Sequence, residues 1–257
     1  MRAEFELFDQ KYKVNLNHPL DISIPLRAEE DNPKAWYVDA PVIEPVRGEG
    51  FVGAVNQGGS VNFRNISFNP HGHGTHTECV GHISRQVHSI NMHLKKFFFM
   101  AKVHTVEPTT IQSDESEYRK KGDRVIFKED IEAAFNGEKF NAIVLRTLPN
   151  DAQKLTGHYS NSNFPYLDQK AAAFLVANEI EHLLIDLPSI DREVDGGQLI
   201  AHKTFWNYPK SPRFFATITE FIYVKESIQD GLYLLNLQIA PFVNDASPSK
   251  PILYEVL

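Results

Sequence analysis

The sequence predicts an α/β fold, a single domain spanning residues 1–257 around a mixed β-sheet. Short apolar runs alternate with helical segments through the middle of the chain, the pattern of βαβ units with parallel pairing. The final third then offers strands with little helix between them, which a purely parallel sheet would not do. No repeat, low-complexity tract or Pro/Ser/Gly-rich linker divides the 257 residues, a length one α/β domain accommodates.

In chain order, residues 20–26 (LDISIPL) alternate apolar and polar side chains like a half-buried strand. Residues 31–59 carry several prolines and glycines and read as long loops, the kind of segment that often covers a binding site. A strand over 62–68 leads into a histidine-rich stretch, and 97–105 (FFFMAKVHT) reads as a buried strand. Residues 128–135 form a short helix candidate, 142–148 a strand, 168–178 a helix and 182–187 a strand. Residues 216–224 and 233–240 complete the set as strands.

The formal net charge of −7 argues against a nucleic-acid surface, which needs clustered Lys and Arg. The first twenty residues lack the apolar core of a signal peptide, and no stretch is long enough to cross a bilayer, so neither membrane nor nucleic acid is an expected partner. Cys79 is the only cysteine, which precludes an intrachain disulfide and fits a reducing, cytoplasmic setting. Its expected place is the core, as a small buried side chain.

Residues 71–82 (HGHGTHTECVGH) concentrate four of the eleven histidines and one carboxylate in twelve positions. Imidazole and carboxylate are ligands for Zn²⁺ or Mn²⁺, and histidine moves protons near neutral pH. If 76–82 begins as a strand, His76 and Glu78 share a face with Cα atoms roughly 6–7 Å apart, close enough to reach one ion. His82 would lie about 13 Å beyond Glu78 on a straight strand, but Gly81 offers a place for the chain to turn and bring it back. His71 or His73 could complete the ligand set; the flanking glycines leave that choice open. The remaining histidines considered, His18, His88, His93, His104, His158 and His182, read as surface or satisfied core residues.

A transition-metal site needs three or four protein ligands, so a second segment should contribute. Glu220 is the one ionisable group in the apolar row Ala216, Ile218, Ile222 and Val224, and a buried carboxylate needs a cation, a metal or a proton. Arg146, in the apolar run AIVLRTLP, is the rival partner. His202 falls at the predicted start of a helix, and the aspartates of 186–195 (DLPSIDREVD) read as capping and loop groups.

These residues resemble the cyclase family that includes bacterial kynurenine formamidase and isatin hydrolase, whose signature is His-x-Gly-Thr-His-x-Asp-x-Pro-x-His. Gly74, Thr75, His76 and His82 fall in register with it, and LDISIPL, LRT at 145–147, IDLPSID at 185–191, LIAH ending at His202 and ITEF around Glu220 extend the resemblance across most of the chain. Here Glu78 replaces the signature Asp, Val80 replaces its proline, and its first His falls on Gly72, so that His71 takes that place only with one residue inserted. The resemblance implies a swivelling β/β/α fold, one or two Zn²⁺ or Mn²⁺ ions, and a homodimer or larger assembly. It implies metal ligation by His71, His76, Glu78, His202 and Glu220, with His82 as catalytic acid/base.

The expected activity is hydrolysis of an amide or related C–N bond in a small, aromatic-compatible substrate, with Trp36 and Tyr37 as candidate pocket residues. Metal-assisted cyclase, lactonase or dehydratase chemistry is the alternative within enzymes. A degenerate, non-catalytic small-molecule binder is the alternative outside them.

Overall fold

A computed structural model describes residues 1–257. Seven strands form a closed mixed sheet: β1 (His76–Glu78), β2 (Phe98–Val106), β3 (Ala142–Thr147), β4 (His182–Ile185), β5 (Thr217–Glu220), β6 (Gly231–Ile239) and β7 (Ala246–Glu255). Their order is β6-β2-β3-β4-β5-β1-β7, and β7 pairs back onto β6. Strands β2 to β5 run parallel, while β6, β7 and β1 pair antiparallel with their neighbours. The sheet is mixed as predicted, and its closure leaves a barrel without the two free edges of an open sheet.

α-Helix is sparse, and the helices expected at 128–135, at 168–178 and around His202 all form, the first of them shortened. The α-helices are α1 (Ile90–His93), α2 (Lys128–Glu132), α3 (Gln169–Ala177) and α4 (Ile200–Phe205). The predicted helix at 168–178 forms because Asp168 caps it, its side chain accepting from the Lys170 N–H at 2.9 Å. No helix is long and apolar enough to cross a membrane.

Strand parity separates two apolar layers. Phe99, Ala101 and Val103 of β2, Ala142 and Val144 of β3, Leu184 of β4 and Leu235 and Leu237 of β6 meet in one cluster with Cys79, which fixes it as the barrel interior. The intervening Met100, Ile143, Leu145, Leu183, Ile185 and Ile218 join Leu175, Ala201, Phe205 and Trp206 beneath α3 and α4. A residue of even number on β1 or β5 therefore faces the helices, and that face carries His76, Glu78 and Glu220.

Some predicted strands are shorter than their patterns. Of 20–26 only Leu20–Asp21 forms a strand, paired with β7, and Ser23 adds a single bridge to Ile222, although Ile22 and Ile24 are buried as the alternation requires. Residues 31–59 are largely loop, but they include Val42–Pro45, which pairs with Arg64–Ser67, and a tight hairpin of Arg47–Gly48 with Phe51–Val52. Strand β5 stops at Glu220 because Phe221 adopts a left-handed φ of 54°.

His182 on β4 is a satisfied core residue: its Nδ1 lies 2.8 Å from Thr217 Oγ1, and its ring packs on Phe99 with centroids 3.9 Å apart. Burial, with a smaller contribution from Arg213, pushes its pKa down to about 3. Because the folded value is depressed, the stability it contributes is complete above about pH 6.5 and is lost as the pH falls towards 3. Between pH 6.5 and 4.5 this one group should cost roughly 2–3 kcal/mol. Urea unfolding of His182→Gln should show correspondingly less acid destabilisation than the parent chain over that interval; parallel pH curves would refute the assignment.

Candidate metal centre

Antiparallel pairing of β1 with β5 sets Glu220 opposite His76 and Ile218 opposite Glu78. Cross-strand partners on one face lie within side-chain reach, so the three polar groups converge. Thr75 locks the junction: its Oγ1 accepts the Ile24 N–H at 2.7 Å and donates to the carbonyl of Phe221, immediately after Glu220. The Gly74 carbonyl accepts from His76 Nδ1 at 3.0 Å, which leaves His76 Nε2 as the lone-pair nitrogen, 3.4 Å from Glu220 Oε2. Glu220 Oε1 accepts the Ile190 N–H at 3.0 Å.

Glu78 lies between two histidines, each backed by an aspartate. On one side His202 Nε2 is 3.0 Å from Glu78 Oε1, and its Nδ1 is 2.6 Å from Asp191 Oδ2. On the other, His71 Nδ1 is 3.1 Å from Glu78 Oε2, and its Nε2 is 2.8 Å from Asp245 Oδ2. Burial opposes charge on these histidines, yet bonds to Asp245 and Glu78 outweigh it and raise His71 to about 10. Bonds to Asp191 and Glu78 likewise raise His202 well above its ordinary value against the burial penalty. Burial favours a neutral Glu78, but the neighbouring His82 and hydrogen bonds from His202 and His71 hold its carboxyl well below the usual range.

His82 returns to the cluster through a 3₁₀ turn, Val80–His82, directly after β1. Gly81 is required there for close approach and not for an unusual φ: a Cβ would fall 2.2 Å from the His88 carbonyl oxygen and 3.1 Å from Asp245 Cβ. His82 Nδ1 lies 3.5 Å from Asp245 Oδ2 and 3.7 Å from Glu78 Oε2, looser than the contacts that hold His71 and His202. The side chains of His82, Asp245 and His71 are 31, 26 and 20% exposed, against 4% or less for His76, Glu78, His202 and Glu220. The cluster therefore opens to solvent on one side only.

His71, His76, Glu78, His82, His202 and Glu220 meet here, whereas His73 lies outside the cluster. His73 Nδ1 accepts the Asn69 N–H at 2.8 Å and its Nε2 donates to the Asp39 carbonyl at 2.6 Å, so neither nitrogen is free. Arg146 is not the partner of Glu220; it pairs with Asp230 at 2.9 Å and with the carbonyls of Lys225 and Ile228. His104, His158 and His182 bond elsewhere, and burial pushes the Cys79 thiol up to about 12, which leaves it unreactive. Trp36 packs edge-on against Phe164, and Tyr37, 65% exposed, bonds Asn161 and Glu193, so neither touches the cluster.

Asp191 is a capping group, as expected for its segment, accepting the Ala201 and His202 N–H groups at 2.7 and 3.1 Å. It also holds the His202 ring, which sequence reasoning missed. Asp245 was missed altogether: it stands in an irregular stretch before β7 and reaches the cluster only through barrel closure.

A closed mixed barrel bearing a histidine–carboxylate cluster on its helix-facing side is the architecture of a known group of proteins. The chain belongs to the family described as "Putative cyclase", whose profile matches residues 14–192. The match includes His71, His76, Glu78, His82 and Asp191 and ends before His202, Glu220 and Asp245. A structure described as a potential metal-dependent hydrolase with cyclase activity superposes with a TM-score of 0.63 at 18% identity, covering 92% of this chain and 97% of the other. An isatin hydrolase bound to the product analogue thioisatinate gives 0.59 at 16% identity, with 93 and 92% covered. Isatin hydrolase A from Labrenzia aggregata, bound to benzyl benzoate, gives 0.63 at 12% identity, with 93 and 94% covered. At these identities the likeness concerns the fold. No curated protein matches the chain by sequence.

Proposed function

We propose that the cluster holds one or two divalent ions, Zn²⁺ or Mn²⁺, and hydrolyses an amide or related C–N bond in a small, aromatic-compatible substrate. The observation that carries this reading is a buried convergence of imidazoles and carboxylates with no Lys or Arg among them. His76 Nε2 is fully buried with no hydrogen-bond partner, and the buried Glu78 Oε2 has only the rings of His71 at 3.1 Å and His82 at 3.7 Å beside it, an arrangement that a shared cation would stabilise. Three overlapping sets, His71–His76–Glu78, His71–His82–Asp245 and Glu78–His82–His202, each bring their ligand atoms within 4.8 Å of one another. Imidazole with carboxylate suits Zn²⁺ or Mn²⁺. The names of the structural neighbours, a metal-dependent hydrolase and two isatin hydrolases, support the same reading.

His76, Glu78, His202, Glu220 and His71 would hold the metal, which when bound supplies Lewis acidity to a water and to the substrate carbonyl. His82 faces the cluster through Nδ1 and is the most exposed of its four histidines, so it takes the proton of the attacking water and returns it to the leaving nitrogen. Asp245 borders both His71 and His82 and keeps their rings at the mouth. The deep ligands exclude bulk water, while the single opening admits a small molecule.

Metal analysis of protein purified without a His tag should find at least one equivalent of Zn²⁺ or Mn²⁺ per chain. Chelation should abolish turnover of a panel of formamides, cyclic amides and lactones, and the matching ion should restore it. Stoichiometry well below one, with no rescue by either ion, would instead favour a non-catalytic binding protein. Turnover confined to lactones would move the reaction from C–N to C–O hydrolysis.

A further inference from the structure

We propose that Asp191 is a positioning residue for the metal centre, fixing the orientation of His202 so that Nε2 is directed at Glu78 and Glu220, the position from which it would ligate a metal. The inference rests on the metal-binding reading above. A helix cap needs only backbone contacts, and Asp191 makes those to the N–H groups of Ala201 and His202. Its shortest contact is nevertheless to the ring: Oδ2 lies 2.6 Å from His202 Nδ1.

The ring's other nitrogen then points at Glu78 Oε1 at 3.0 Å and Glu220 Oε1 at 3.7 Å. His202 is the only ion-pair partner of Asp191; the adjacent Arg192 is committed to Asp123 at 2.9 Å. No cationic side chain therefore competes with the imidazole for this carboxylate, which otherwise meets only the two backbone N–H groups. An Nδ1–H held by a carboxylate makes Nε2 the more basic donor and stops the ring from flipping, which is how outer-shell carboxylates strengthen histidine ligation. Leu199 adopts a left-handed φ of 47° just before α4, so the backbone itself is bent to deliver His202 to this position.

The test is divalent-metal affinity, measured by calorimetry and chelator competition with Zn²⁺, Mn²⁺ and Co²⁺, together with the Co²⁺ absorption spectrum. Asp191→Asn keeps the volume and one acceptor for the helix cap but loses the charge. It should bind each metal about 10–100-fold more weakly and shift the Co²⁺ bands. Asp191→Glu, which keeps the charge one methylene out of place, should fall between parent and Asn, and it carries the test if the Asn variant does not fold. A folded Asp191→Asn protein with parental affinity and spectrum but a lowered melting temperature would overturn the proposal and leave Asp191 a cap. Failure of the parent chain to bind metal would overturn the functional reading as well, so the two failures are told apart by the parent arm.

Discussion

Glu78→Gln is expected to weaken divalent-metal binding by more than about 100-fold and to lower kcat/KM by about three orders of magnitude, with the barrel intact. Loss of an outer-shell partner alone costs about 10–100-fold in affinity, and Glu78 stands at the centre of the cluster. Its two oxygens meet His202 on one side and His71 on the other, so its loss would uncouple both. Gln preserves the volume on β1, so the strand register with Ile218 should survive. Titration calorimetry, steady-state kinetics and far-UV circular dichroism together check this. A Gln variant that retains metal within tenfold of the parent would remove Glu78 from the ligand set.

His82→Ala should behave differently: metal content unchanged, and kcat lower by about 10²–10⁴, the range a positioned proton-transfer group contributes. The difference follows from geometry, since His82 stands 3.5 Å or more from its nearest carboxylates and is partly open to solvent, whereas the deeper histidines are clamped. Full activity in a metal-loaded His82→Ala protein would refute the role.

The centre was legible in the sequence wherever local periodicity governs geometry. Period two placed His76 and Glu78 on one face of β1, and the same rule marked Glu220 as the odd ionisable group in an apolar row. The return of His82 was readable from the glycine before it, although the glycine serves close packing against the His88 carbonyl more than the turn itself. His71 and His73 could not be separated, because their difference lies in remote partners: Asp245 for one, Asp39 and the Asn69 N–H for the other. Asp245 itself, 174 residues from His71, belongs to no periodic segment.

In the fold, the mixed sheet could be read from the order of apolar runs, but its closure could not. Strand β7 contains Pro248 and Pro251, residues that normally argue against a strand, and it gave no alternating signal. Pro248 lies opposite His76 and Pro251 opposite Leu237, positions where two different neighbours share the strand along its length.

That shared strand has a consequence for how the chain reaches its native state. β7 joins β1, begun at residue 76, to β6, begun at residue 231, so the ring closes only when contacts of very large sequence separation form. Topologies dominated by such contacts fold slowly, and until closure β1 and β6 each expose an unpaired edge that can template intermolecular pairing. The last strand therefore acts as the latch of the folding reaction. A chain lacking it has open, adhesive sheet edges instead of a smaller working domain, and the Asp245 side of the cluster has no scaffold until the latch is in place.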